Sequence, residues 1–258
     1  MNSVISNESI AFPPTQDELP CDDGIPMETQ RHKMQMDLLL DTLQPWLDQR
    51  EDGYIGGNMF IYFSTQQIRN QDFRGPDFFA VLGVPKQERK SWVVWEEGKA
   101  PNVVIELLSE STSDEDKTRK KTIYQNQLRV PEYFWYDPFN PEDWAGFDLQ
   151  GGEYQPLVRD ANNRYISQQL DLALVQWHGV YKNVETVWLR WETREGELLP
   201  TERELSQQAQ QEAQQAQQEA QQAQQEAQQA QQQAQQAQQK NEKLAAKLRE
   251  LGIDPDTV

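Results

Sequence analysis

Val103-Val104-Ile105-Glu106-Leu107-Leu108-Ser109, followed after a charged run by Val130-Pro131-Glu132-Tyr133-Phe134-Trp135-Tyr136-Asp137-Pro138, decides the fold. Short apolar runs bounded by turn signals read as buried strands. Between them, Ser113-Asp114-Glu115-Asp116 has the spacing of a capping box, with Ser113 as N-cap and acids in the first turn, so a helix is expected to about Leu128. Strand, helix and strand in that order make a crossover, hence a parallel pair inside a mixed sheet and an α/β fold. At 100° per residue Lys117, Lys120, Tyr124 and Leu128 share the inward face of the helix, while Arg119 points away.

Working outward, Met36, Leu39, Leu40, Leu43 and Leu47 recur at helical spacing between Met27 and about Leu47, with Pro45 near the end. His32 falls on that stripe and reads as a core or rim residue. Gly56-Gly57 opens a strand-like run over Asn58–Ser64, Pro76–Leu82 reads as a second strand with Asp77 at its entrance, and Ser91–Trp95 as one arm of a hairpin ending in Glu96-Glu97-Gly98. Beyond Pro138, Trp144–Leu149 and Tyr154–Val158 flank Gly151-Gly152 as a further hairpin. The apolar segments of Leu170–Trp191 are not decided by their pattern, and His178 among them carries no signal.

Residues 1–24 are polar and read as a flexible leader, 25–198 as one globular domain, 199–251 as a Gln/Ala-rich heptad helix, and 252–258 as its C-terminal cap. In the helix Ala209, Ala213, Ala216, Ala220, Ala223, Ala227, Ala230, Ala234 and Ala237 alternate steps of four and three, and Asn241, Leu244, Leu248 and Leu251 continue the series. That is a coiled-coil seam, stopped by Gly252, Ile253 and Pro255. Alanine buries little area, so association through 199–251 into a homo-oligomer would rest mostly on the leucines, and a solvated single helix is the alternative.

All 8 tryptophans lie in the globular segment, which is ample for one core. A single Cys21 excludes a disulfide framework and a Cys-based metal site, no run is long enough to span a membrane, and no secretory pattern is present, so a cytoplasmic protein with no membrane role is expected. The net charge of -18 argues against an indiscriminate basic nucleic-acid binder. Only Lys117, Arg119, Lys120 and Lys121 form a basic cluster.

A carboxylate inside a buried strand requires a compensating partner, because removing it from water alone costs several kcal/mol, roughly. Asp77 at one strand entrance, Glu106 in a neighbouring strand and Lys117 or Lys120 on the covering helix supply two acids and an amine. Mg²⁺ takes one or two carboxylates and keeps several waters, so this set suits metal-assisted phosphodiester hydrolysis. Asp114 and Asp116 are read as complements of the helix N-terminus, Lys117, Arg119 and Lys121 as a solvated face or phosphate contacts, and Tyr133, Trp135 and Tyr136 as core.

Pro76-Asp77, Val104-Ile105-Glu106-Leu107-Leu108-Ser109, Ser111-Thr112, Asp116 and Lys120 before Tyr124, and Val130–Pro138 together resemble a bacterial family of restriction endonucleases in the PD-(D/E)xK nuclease superfamily. The resemblance covers most of 25–190. It implies a mixed central sheet flanked by helices, Asp77 and Glu106 as ligands of Mg²⁺ (or Mn²⁺), the carbonyl of Leu107 as a third ligand, and DNA as the substrate. The superfamily lysine two residues after the glutamate is here Leu108, and the resemblance assigns its role to Lys120. Two functions follow: a metal-dependent endonuclease acting on DNA, with Asp77, Glu106 and Lys120 catalytic, or a silent nuclease fold used as an interaction module through its coiled-coil tail.

Overall fold

A computed structural model describes residues 13–21, 27, 29–64 and 73–250. Residues 1–12 and 22–24 of the expected leader, Leu251, and the helix stop at Gly252, Ile253 and Pro255 lie outside the described residues. The chain divides into two units, Met1–Glu202 and Arg203–Val258.

In the first unit, α1 (Gln30–Asp48) begins at Thr29, whose hydroxyl accepts from the His32 amide. Pro45 lies inside the helix. Its missing N–H costs one bond in the last turn, and the burial of Leu43 and Leu47 on either side carries the helix past it. Then come β1 (Tyr54–Gly56), β2 (Ile61–Tyr62), β3 (Phe73–Arg74), β4 (Phe78–Val81), β5 (Trp92–Val93), the short α2 (Val94–Glu97) and β6 (Val103–Leu107).

The chain next enters one continuous helical run over 113–128. Its segments are α3 (Ser113–Glu115), a π turn (Asp116–Lys120), α4 (Lys121–Ile123) and a second π turn (Tyr124–Leu128), and Arg129 ends it in the left-handed conformation. The expected capping box does not form. Ser113 is the first helical residue, and Thr112, before it, makes no side-chain cap. The Ser109 carbonyl accepts from the amides of Thr112 and Ser113 and its hydroxyl from Thr112, and the Asp116 amide donates to the Thr112 carbonyl, so the donors a capping box would satisfy are already bonded.

β7 (Glu132–Tyr136) lies parallel to β6, as the crossover requires. β8 (Trp144–Gln150) and β9 (Glu153–Pro156) form the expected hairpin, its two-residue turn being Gly151-Gly152 with φ of 59° and 96°. The central sheet has the order β1-β4-β6-β7-β8-β9 and is mixed, since only β6 and β7 run parallel. The segment left open by pattern resolves into a second sheet, β10 (Tyr165–Ser167), β11 (Leu172–Tyr181) and β12 (Val184–Glu192), all antiparallel.

The Ser91–Trp95 hairpin is not formed. β5 pairs in parallel with β2 in a third sheet, β3-β2-β5, and Glu96-Glu97 end α2 rather than a turn. A tight turn cannot join parallel neighbours, and the Trp92 indole is held by donating to the Lys99 carbonyl at 2.8 Å. Against this sheet lie residues 13–21 of the expected leader: Trp95 donates to the Pro14 carbonyl and Tyr62 to that of Pro20, while Leu19 is buried beside Phe60 and Val93.

Pleating divides the core between the faces of the central sheet. Phe78, Ala80, Val103, Ile105 and Leu107 face α1 and the second sheet; Phe79, Val81, Val104 and Tyr133 face the helical run through Ile123, Tyr124 and Leu128. On the α1 side the buried Gln35 amide both donates to the carbonyl and accepts from the amide of Leu189, clasping helix to β12. The architecture is thus α/β, a mixed central sheet flanked by helices.

The second unit is described by α5 (Glu202–Glu250), 49 residues or roughly 74 Å at 1.5 Å per residue. No residue of it is buried, and Gln208, Gln215, Gln222 and Gln238 each donate to the glutamate four residues on. These bonds support the helix locally.

Candidate active site

Glu106 is the penultimate residue of β6, opposite Trp135 of β7, and its parity with Val104 turns its side chain towards the helical run. It is completely buried. One carboxylate oxygen accepts from the Tyr124 hydroxyl at 2.7 Å and the other faces the Lys120 ammonium at 3.1 Å. The same ammonium is 2.7 Å from Asp116 Oδ1. Asp77 immediately precedes Phe78, the register partner of Ile105, and its Oδ2 accepts from the Leu107 amide at 2.7 Å. Asp77, Glu106, Leu107 and Lys120, assembled from three elements, are therefore neighbours.

The π turns explain how one helix directs Asp116, Lys120 and Tyr124 inward together. At 100° per residue, each step of four overshoots a full turn by about 40°, and two steps would rotate Tyr124 well off the line of Asp116. A π turn takes up an extra residue and reduces that drift. Asp116, which the sequence suggests as a complement of the helix N-terminus, is buried, with the Tyr133 hydroxyl donating to its carbonyl at 2.9 Å. Lys117 departs from the expected inward face: it pairs with Asp143 at 2.5 Å, over the Trp135 ring. Lys121 lies 3.4 Å above the centre of the Phe147 ring. Asp114 and His178 are exposed on the surface.

Burial pushes the Glu106 carboxyl up to about 7; the Lys120 charge opposes that rise and the Asp77 charge adds to it. Asp116 rises to about 6, from burial and then from the charge of Glu106. Burial works against the Lys120 ammonium, but Glu106, Asp116 and Asp77 outweigh it and hold the amine above its ordinary value. Burial and the Glu106 charge raise Tyr124 likewise, keeping its hydroxyl a neutral donor. Three carboxyl groups thus share one ammonium, an excess of acid in a place of low dielectric.

The donor set is compatible with a hard divalent cation. Asp77 and Glu106 offer carboxylate oxygens on adjacent strands and Leu107 a main-chain carbonyl, and such a cation completes its shell with water. Among the described residues no group of three or more His, Cys, Asp or Glu side chains is arranged to hold a metal. Two acids, a carbonyl and solvent are what the site provides.

Two supporting residues had no clear sequence signal. His32 Nε2 donates to the Leu108 carbonyl at 2.8 Å, while its Nδ1 meets the Thr29 hydroxyl at 2.8 Å. A carbonyl only accepts, so Nε2 carries the hydrogen, and the ring ties α1 to the chain just beyond Leu107. Leu108 is itself fully buried, its amide donating to Tyr136. The spacing of Tyr124, four residues after Lys120, places it on the inward helix face, but its bond to Glu106 depends on the packing of that helix on β6.

A family model described as "Uma2: Putative restriction endonuclease" matches residues 18–180. The chain is also similar to a crystal structure of a putative nuclease from Anabaena variabilis, with 18% identity and a TM-score of 0.39, over 58% of this chain and 87% of that one. A search of curated proteins returned no match.

Proposed function

The chain belongs to the Uma2 family, described as putative restriction endonucleases, and we propose that its 25–198 domain hydrolyses DNA phosphodiester bonds with Mg²⁺ or Mn²⁺ held by Asp77, Glu106 and the Leu107 carbonyl. The observation that carries this reading is the buried Glu106 carboxylate shared between Lys120 and Tyr124 with Asp77 beside it. When bound, the cation would neutralise the excess acid and supply Lewis-acid stabilisation of charge on a phosphoryl oxygen.

The protein's own groups define the rest. Lys120 is held protonated, so it acts as a hydrogen-bond donor and positive charge beside the scissile phosphate, and not as a general base. Its location on the helix lets the amine reach the carboxylate that a lysine at position 108 would approach along the strand. Asp116 positions that amine from four residues upstream. Tyr124 fixes the rotamer of Glu106, and the Leu107 amide fixes that of Asp77.

The test is a plasmid-nicking assay in Mg²⁺ and Mn²⁺ with Asp77→Ala and Glu106→Ala, accompanied by calorimetric titration of each cation. Cation-dependent nicking that disappears in both folded variants is expected. Nicking that persists in either removes that residue from the assignment. The second reading, a silent fold serving an interaction role, draws on the hydrophobic Leu108, the complete burial of Glu106 and the heptads of α5. Absence of cation binding in the wild type, with and without DNA, would select it. No described helix is long and apolar enough to cross a membrane.

A further inference from the structure

On the helical run, the residues next to Lys120 line a different feature. An open cavity of about 510 Å³ is bounded by Arg74 of β3 and by Thr118, Arg119, Thr122, Ile123 and Gln127. Lys120 points from the same turn to Glu106, so the cavity adjoins the acidic site and is lined by two arginines, of which Arg74 donates through Nη1 to the Phe73 carbonyl. Arg74 is only 6% exposed. Burial lowers its pKa and the Arg119 charge adds to that, while Tyr124, Glu115 and Glu106 counter it, so the guanidinium feels both Arg119 and Glu106.

Two like charges converge here in a protein whose net charge is -18. Arg119 meets Glu115 at 3.5 Å, with both side chains about half exposed. An exposed pair of that kind contributes about 0–1 kcal/mol and is readily exchanged for a stronger acceptor. A phosphate is such an acceptor, since guanidinium groups match its oxygens in bidentate geometry. The Gln127 amide adds neutral donors at the rim.

We propose that the Arg74–Arg119 cavity is a phosphate subsite that takes a backbone phosphate of duplex DNA adjacent to the one presented to Glu106. The subsite supplies registration on the strand and no base specificity. It rests on the nuclease reading for its ligand, but it can be tested without cleavage.

The experiment measures binding of a fluorescent DNA duplex by the full chain in chelator, across a salt series, for wild type, Arg119→Ala, Arg74→Lys, Glu115→Gln and Arg194→Ala. Arg194, which pairs with Asp171 from the strand end of β12, serves as a charge control away from the cavity. Arg119→Ala is expected to weaken binding several-fold and to reduce the slope of log K against log salt by about 0.9, the loss of one phosphate contact. Glu115→Gln should tighten binding by about twofold, because it removes one competitor for Arg119. Arg194→Ala should leave the slope unchanged. Arg74→Lys, which keeps the charge but loses the fork, should weaken binding with the slope preserved.

Equal effects of Arg119→Ala and Arg194→Ala, or no duplex binding in the wild type, would overturn the proposal. Inorganic phosphate bound in an Arg119-dependent manner by phosphorus NMR, with no Arg119 effect on the duplex slope, would assign the cavity to free phosphate and also overturn it. Arg119-dependent binding by a protein that cuts nothing would uphold the subsite and remove the nuclease reading. Cutting without Arg119-dependent binding would do the reverse.

Discussion

Replacing Lys120 by methionine keeps the hydrocarbon stem and removes the only ammonium within 4 Å of Glu106 and Asp116 among the described ion pairs. Breaking a buried ion pair from one side ordinarily costs about 3–5 kcal/mol, because a charge is left uncompensated. Here proton uptake limits the loss. Glu106 is already pushed up to about 7 and Asp116 to about 6, so each can neutralise once the amine is gone. At about pH 7.5 that neutralisation costs under about 1 kcal/mol for Glu106 and about 2 kcal/mol for Asp116, roughly 3 kcal/mol together at 1.36 kcal/mol per pH unit. At about pH 6 it falls below about 1 kcal/mol, since Glu106 is then already neutral and Asp116 half so. The sign follows from the raised folded values: stability from these groups is complete below their ordinary values and lost as pH rises, and the variant extends that loss upward. Urea denaturation of both proteins in chelator at about pH 6 and about pH 7.5 measures the difference. A penalty that is the same at both pH values would refute the shared-ammonium account. Far-UV and near-UV circular dichroism of the folded baselines would confirm that the same state is being compared.

Tyr124→Phe removes the donor to Glu106 and should cost about 1–3 kcal/mol by leaving a buried acceptor short of one bond, read as a lowered urea midpoint. His32→Phe should loosen the chain beyond Leu107 and weaken cation binding in calorimetry severalfold while α1 persists; unchanged affinity would leave His32 a packing residue. Glu132 is raised by burial against bonds from the Ser167 hydroxyl and the amides of Gln169 and Gln168, so its contribution to stability is complete at low pH and is lost as pH rises through its folded value. Ser167→Ala deletes one of those bonds, raises the carboxyl further and should cost about 1–3 kcal/mol, more near neutral pH than near pH 4.5; equal urea midpoints at both pH values would contradict this. If the heptads of α5 pair, the full chain sediments as an oligomer and Leu244→Asp with Leu248→Asp returns it to monomer; a monomeric wild type at about 100 µM would refute self-association through this helix.

Local chemistry determined a large part of this protein. Glu106 and Asp77 could be singled out because an acid in an apolar strand, or at its entrance, is conspicuous in a pattern of period two, and the strand–helix–strand order of 103–136 required a parallel pair. Gly151-Gly152 specified a hairpin turn through two positive φ values, and the seven-residue repeat specified α5. Other features depended on partners distant in sequence. β5 is set by pairing with β2, whose Ile61 is the partner of Trp92, and nothing in Ser91–Trp95 distinguishes that parallel bridge from a hairpin arm. The second sheet escaped the pattern because its buried positions are set by packing on α1 rather than by clean alternation, and its Lys182-Asn183 turn lacks the glycine that usually marks such a site.

The helix over 113–128 marks the division most clearly. Its extent and the inward direction of Lys120 follow from residue spacing. Its two π turns, the burial of Asp116 and the outward pairing of Lys117 with Asp143 follow only from the fit of the helix to the sheet. A regular helix has one phase, readable from its residues, whereas the phase of an irregular one is set by the surface on which it packs. Which acids and amines are present, and on which elements, is legible residue by residue, whereas which of them share a charge depends on the packed fold, because Coulomb energies and desolvation depend on distances across elements that no local pattern contains.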